Sequence, residues 1–157
     1  VKGASVLMKK HVCCRSLALT AGLLLTCQNV LAEVEVESLR CEYRNNPQGI
    51  DEAQPRLSWL LDADDARGVK QTAYRVLVAS SLTLLKQDNG DLWDSGKVVS
   101  DASIQVAFAG KPLLSRQACF WKVRVWDQDG EESAWSDPAS WTMGLLQPGD
   151  WQCRWIG

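Results

Sequence analysis

The chain has 157 residues, about the size of one compact domain, with a formal net charge of −2, 46% apolar residues and eight tryptophans. All nineteen acidic residues lie after position 32, whereas Lys2, Lys9, Lys10 and Arg15 are the charges before it. The remainder is therefore acidic, which argues against nucleic acid and an anionic membrane surface as partners of the folded part.

From Met8, the stretch MKKHVCCRSLALTAGLLLTCQNVLA reads as a secretory signal peptide: a basic start (Lys9, Lys10, Arg15), an apolar run from Leu17 to Leu25, and small or apolar residues up to Ala32. Val30 and Ala32 stand where a signal peptidase reads, so cleavage is expected before Glu33. The apolar run is much shorter than the about 20 residues that span a bilayer, and no membrane span is expected. The residues before Met8 read as upstream readthrough or an early start. Leu-Leu-Thr-Cys ending at Cys27 resembles a lipoprotein processing site, with Thr26 where a smaller residue is wanted. The chain is expected to be exported, periplasmic or secreted, with an outer-membrane lipoprotein anchored through Cys27 as the alternative.

Removing the signal takes away Cys13, Cys14 and Cys27 and leaves Cys41, Cys119 and Cys153, so at least one thiol stays unpaired. Export permits a disulfide between Cys41 and Cys119. No CxxC or Cys/His cluster suggests a metal site, and the only histidine, His11, lies in the signal. No metal or cofactor is expected, and the mature chain has no imidazole for general-base chemistry.

Short apolar-alternating runs separated by turn residues then recur, the spacing of an all-β sandwich. SLRCEY (38–43) is followed by a break at NNPQG. In PRLSWLL (55–61), Leu57, Trp59 and Leu61 share one face by the two-residue strand period. TAYRVLVASS (72–81) alternates Tyr74, Val76 and Val78 against Ala73, Arg75 and Leu77. SLTLLKQDNGD can hold one helical turn before Asn89-Gly90 ends it. LWDSGKV (92–98), SIQVAF (103–108), CFWKVRVWD (119–127) and ASWTMGLL (139–146) complete seven strands.

Residues 119–141 hold four of the eight tryptophans, and they have different expected roles. Trp121, Val123 and Val125 share an inward face, Asp129-Gly130 reverses the chain as a hairpin, and Trp141 is expected to be buried beside Met143. Trp59, Tyr74 and Trp121 should meet in one core. Trp126 falls on the other face with Lys122 and Arg124, and an exposed cation stacked on an indole contributes roughly 0.5–1 kcal/mol. Trp126 and Trp135 are thus the candidate ligand-binding residues, as a surface ladder that would serve sugar stacking or the docking of another domain.

Three acidic clusters fall in expected turns: Asp62/Asp64/Asp65, Asp88/Asp91/Asp94 and Asp127/Asp129/Glu131/Glu132. Glycosidase chemistry needs two carboxyls across a bond, one of them kept protonated in a secluded site, and solvated turns do not supply that. A calcium loop would want glycine where Glu132 stands. No catalytic residue and no metal site is assigned.

The marks of a fibronectin type III fold, a Trp in the second strand and aromatic-x-Val-Arg-Val followed by Gly-x-Ser-x-Trp-Ser, resemble Trp59 and WKVRV…DGEESAWS, with one extra residue between glycine and tryptophan. More narrowly, LRCEYRNNPQGIDEAQPRLSW, QTAYRVLVASS, LWDSGKV, RQACFWKVRVWDQDG and SAWSDPASWTMGLL resemble the N-terminal sandwich of bacterial α-L-rhamnosidases, an inverting family with an α/α-barrel catalytic unit. GDWQCRWIG (149–157) resembles the opening strand of the β domain that follows, as expected of a truncated gene or fragment. The resemblance implies a seven-stranded fibronectin type III or immunoglobulin-like β-sandwich over 33–147, preceded by the signal (1–32) and followed by the start of a second domain (148–157). It also implies a non-catalytic accessory role, since the family's catalytic carboxylates lie downstream in the barrel. The partners implied are the downstream domains and rhamnose-containing glycans, the full-length form hydrolysing terminal α-L-rhamnose from plant glycosides or polysaccharides. The alternative is a free-standing extracellular carbohydrate-binding or adhesion module.

Overall fold

Period-two alternation gives the strands at residues 56–62, 73–79 and 118–126 an inward apolar row each, while a bulge at Ser38 shifts the register of the first strand, and two sheets close on those rows. The computed structural model describes residues 34–62 and 68–151. The expected signal peptide with Cys27 and the Glu33 boundary, the acids Asp64 and Asp65, and residues 152–157 with Cys153 lie outside the described residues. Within them the elements are β1 (Glu35–Cys41), β2 (Arg56–Asp62), β3 (Ala73–Ala79), α1 (Leu82–Lys86), β4 (Trp93–Asp94), β5 (Val98–Val99), β6 (Val106–Ala107), β7 (Ala118–Trp126), β8 (Ala139–Thr142) and a 3-10 turn at Pro148–Asp150. One antiparallel sheet has the order β1-β2-β6, the other β4-β3-β7-β8 with β5 also paired to β3. This is the expected all-β, immunoglobulin-like sandwich.

The strand ends differ from the sequence reading for local reasons. The run 92–98 is two short strands, because Gly96 adopts a φ of 60° between them and Ser95 takes over the pairing. Ser95 N donates to Val76 O at 3.0 Å, and Ser95 Oγ accepts from Val76 N at 2.8 Å. Eight strands result where seven runs are counted. The first strand stops at Cys41 rather than Tyr43, since Glu42 and Tyr43 have φ of 47° and 63° and Cys41 and Arg44 exchange backbone bonds at 3.0 Å each. That left-handed pair is held by Glu42, whose carboxylate accepts from Arg56 N at 2.7 Å and from its guanidinium at 2.7 and 3.1 Å. The helical turn forms, with Ser81 capping it by accepting from Leu84 N at 3.3 Å, but Asp88, with φ of 56°, ends it before Asn89-Gly90 is reached.

The core lies where the two inward rows meet. The β3–β7 register sets Tyr74 opposite Val125, Val76 opposite Val123 and Val78 opposite Trp121. Trp59, Tyr74, Trp121 and Trp141 are all buried there. Trp59 meets Tyr74 edge-on at 5.3 Å and Trp121 meets Trp141 at 6.4 Å, arrangements worth about 0.5–1.5 kcal/mol beyond their buried area. Trp59 Nε1 donates to buried Gln71 at 3.0 Å, and Gln71 Nε2 donates to Ser100 O and Ala102 O at 3.1 and 2.9 Å. The polar end of a core tryptophan thereby anchors the loop after β5. No helix among the described residues is long and apolar enough to cross a membrane.

Candidate functional site

The outward row of β7 is Phe120, Lys122, Arg124 and Trp126, and that of β3 is Ala73, Arg75, Leu77 and Ala79, with Arg75 directly opposite Arg124. Three cations on adjacent strands would repel one another without compensation. Acids supply part of it: Asp94 takes Arg75 in a two-pronged pair at 2.7 and 2.9 Å, Asp88 pairs with Lys122, and Glu132 lies 3.1 Å from Arg124. Trp135 supplies the rest. Its ring centroid lies 4.4 Å from the Arg124 guanidinium carbon, 4.7 Å from Lys122 Nζ and 5.9 Å from Arg75. Arg124 Nε, which has no hydrogen-bond partner, belongs to the guanidinium held against that indole. Lys122 is 8% exposed although it is charged.

The segment carrying Trp135 is bound to β7 by a serine device that replaces ordinary strand pairing. Ser133 N donates to Val125 O and Ser133 Oγ accepts from Val125 N, at 2.9 and 3.1 Å. Ser136 repeats the pattern on Val123, at 2.8 and 3.0 Å. The hydroxyls act as the missing carbonyls, so residues 133–136 run beside β7 without being a strand, and Trp135 folds over the outer face. There it also closes a small apolar cluster of Leu77, Ala79 and Leu85 under α1.

Both sequence-predicted site residues thus lie on this outer face, partly exposed, and each already has a cation. Trp126 takes Lys97, whose Nζ is 4.3 Å from its ring centroid. The two indoles are not stacked on one another among the ring contacts of the described residues. Sequence reasoning finds Lys122 and Arg124 as ladder members and misses Arg75, which comes from β3, and Lys97, which comes from the turn between β4 and β5. Trp135 also borders an open groove of about 650 Å³ between the β1 edge and residues 134–139, with Glu35, Glu37, Asn45 and Asp137 on its walls.

The acids are used by the fold. Asp91 accepts from Ser80 N and Oγ at 2.8 and 2.7 Å, and Asp127 from Asp129 N and Glu131 N at 2.9 Å each, which builds the hairpin turn with Gly130 at φ 86°. The hydrogen bond from Lys122 holds the Asp88 carboxyl below the usual carboxylate range, and that from Arg75 does the same for Asp94. A glycosidase proton donor needs the opposite shift. Cys41 and Cys119, for which export permits a disulfide, are buried free thiols here, and burial pushes both up to about 12. They remain protonated and unreactive at neutral pH. Among the described residues no group of three or more His, Cys, Asp or Glu is placed to hold a metal ion.

An α-L-rhamnosidase of Streptomyces avermitilis is 48% identical over 126 residues, which make up 80% of this chain and 12% of that protein. One of Formosa agariphila is 41% identical over 134 residues, 85% of this chain and 14% of that protein. The crystal structure of the Streptomyces avermitilis α-L-rhamnosidase complexed with L-rhamnose matches the fold with a TM-score of 0.75, over 79% of this chain and 12% of that one. The α-L-rhamnosidase from Dictyoglumus thermophilum also gives 0.75, at 38% identity, over 78% of this chain and 14% of that one. The chain therefore spans only 12 to 14% of the length of these relatives. The description of the Rha78A-like N-terminal immunoglobulin domain matches residues 36–147, the whole span of the two sheets after the first residue of β1, and the chain belongs to that family.

Proposed function

We propose that this sandwich is the non-catalytic N-terminal accessory domain of an exported α-L-rhamnosidase, in which later domains hydrolyse terminal α-L-rhamnose from plant glycosides or polysaccharides. The observation that carries the reading is the match of this one domain to a small part of much longer rhamnosidases. The interior supports it, because Trp59, Trp121 and Trp141 fill the space between the sheets and, among the described residues, the buried polar side chains are Gln71, Lys122, Ser133 and Ser136, none of them a carboxyl of the kind a glycosidase secludes. On this reading residues 1–32 are the upstream segment and export signal, 33–147 the domain, and 148–157 the start of the next. The purified 33–157 segment should release no product from a chromogenic α-L-rhamnoside at any pH, whereas the full-length gene product should. Turnover by the segment that vanishes in Asp127→Asn would overturn the accessory role. N-terminal sequencing of exported protein should give Glu33, and a lipidated Cys27 would replace the periplasmic or secreted form with an outer-membrane lipoprotein.

A second reading, a free-standing carbohydrate-binding or adhesion module, draws on the partial exposure of Trp126 and Trp135 on one sheet face. Titration with rhamnose and rhamnose-containing oligosaccharides, followed by tryptophan fluorescence, tests it. Saturable quenching lost in Trp126→Ala and Trp135→Ala would favour the module.

A further inference from the structure

Two of the most exposed large apolar side chains are Leu114 and Trp151, where the described chain leaves the sandwich. Leu114 is 70% and Trp151 66% exposed. Both flank a single contact, in which the Ser115 hydroxyl donates to the Asp150 carboxylate. The same Ser115 Oγ accepts from Leu146 N at 2.9 Å, and Asp150 accepts from Gln147 N at 2.9 Å. The backbone continues the fastening: Arg116 N donates to Gly144 O at 2.9 Å and Met143 N to Gln117 O at 2.8 Å. Residues 143–150 are therefore laid against the 115–117 loop rather than hanging free, and the 3-10 turn at Pro148–Asp150 fixes the direction in which the chain reaches Trp151. Beside this exit is a groove of about 410 Å³ with Phe108, Leu113 and Leu146 in its wall and Asp51, Gln54 and Lys111 among its polar residues.

We propose that this end, Leu114 and the groove beside it, is a preformed seat for the domain that follows Trp151 in the longer chain, and that the Ser115–Asp150 contact locks the exit so the two domains dock rather than swing on a tether. The inference rests on the accessory-domain reading. Three observations favour this occupant. The family places this domain at the N-terminus of proteins of which it is a small part, so most of the remaining chain leaves through this exit. The groove joins the apolar Phe108, Leu113 and Leu146 to the polar Asp51, Gln54 and Lys111, the mixed lining that a contact between domains uses. A linker that is hydrogen-bonded back onto its own domain has already lost the freedom that docking would otherwise cost. A second copy of the chain is the competing occupant.

The test uses the full-length gene product and the 157-residue chain, each with Leu114→Asp, Ser115→Ala or the control Val99→Asp, a residue that is 85% exposed on β5. In the full-length protein, Leu114→Asp and Ser115→Ala should raise the rate of thermolysin cleavage around residues 147–151 at least tenfold, and Leu114→Asp should split a shared thermal transition into two. Val99→Asp should change neither, and Leu114→Asp should leave the Tm of the 157-residue chain unchanged. Cleavage rates unaffected by both variants, or raised equally by Val99→Asp, would overturn the seat. So would a concentration-dependent dimer of the 157-residue chain that Leu114→Asp dissolves, since the occupant would then be a second copy. A gene product that stops at Gly157 defeats the accessory-domain reading itself, whereas a longer product with unresponsive variants defeats the seat alone.

Discussion

Trp121 and Trp135 are separated by one hairpin turn and stand on opposite sides of the same strand. Trp121 faces inward and is fully buried, and among its neighbours is Trp141. Trp135 lies outside, held by serines against β7, and its neighbours are Arg75, Lys122 and Arg124. The same side chain is a space filler in one place and a separator of like charges in the other. Core tryptophan energy depends on volume, whereas the outer ring's depends on the ionisation of its neighbours.

The largest expected effect comes from the inward side. Trp121→Ala removes an indole from a site with no solvent access and should cost about 3–5 kcal/mol in urea or guanidinium unfolding. A loss of about 1 kcal/mol would mean that the sheets collapse onto the gap and that the contrast with Trp135 is one of degree. The serine device comes next. In Ser136→Ala the buried Val123 N–H loses its acceptor, a penalty of about 1–3 kcal/mol, whereas Ser136→Thr keeps the hydroxyl and should retain most of the stability. If Ala and Thr were equally damaging, Ser136 would act by its size and not as a substitute carbonyl.

Acid should separate the two regions. Asp88 and Asp94 have carboxyl pKa values lowered in the folded state by Lys122 and Arg75, so their contribution is fully present above the unfolded carboxyl value of about 4 and is lost as pH falls through the lower folded values. Glu42, lowered by its hydrogen bond to Arg56, behaves alike at the β1 turn. Between pH 5 and pH 2 the unfolding free energy should fall, and it should fall less in Asp88→Asn/Asp94→Asn. An equal pH slope in that variant would show the outer pairs to be screened. The thiols sharpen the contrast from the inside: Cys41 and Cys119 should label with a disulfide reagent at neutral pH only at the rate of unfolding.

How much of this is legible in the sequence follows the same division. The inward rows announce themselves by period two, so Trp59, Tyr74, Trp121 and Trp141 can be placed in a core from the sequence alone. The ladder is half legible, since Lys122, Arg124 and Trp126 share a face of one strand, but Arg75 and Lys97 join it only through pairings between distant segments. Residues 133–136 read as the lead into the return strand, yet they pair with β7 without being a strand, because a serine hydroxyl standing in for a carbonyl leaves no periodic trace. The left-handed Glu42-Tyr43 pair has neither glycine nor asparagine to mark it, and the carboxylate of Glu42 on Arg56 does the holding instead. At the exit, Pro148-Gly149-Asp150 reads as the start of something new, whereas Ser115 ties it to what came before.

The smallest expected effect decides what the outer face is for. Lys97→Ala removes only the cation 4.3 Å from the Trp126 ring, and for a pair at this exposure the loss should be about 0.5–1 kcal/mol or less. The same change uncovers the indole. If the outer face works as a scaffold, Lys97→Ala slightly lowers stability and the protein still ignores rhamnose. If Trp126 is a sugar platform that Lys97 occupies in the free state, the bound sugar no longer has to displace the ammonium group, and affinity for the glycan should rise while stability falls. Fluorescence titration and denaturant unfolding on this one variant therefore move in opposite directions under the platform reading, and only the second moves under the scaffold reading. Trp135 is held by three cations and the serine device, so a sugar response that survives Trp126→Ala and is lost in Trp135→Ala would move the platform to that ring, and one that survives both would have to come from somewhere other than the ladder.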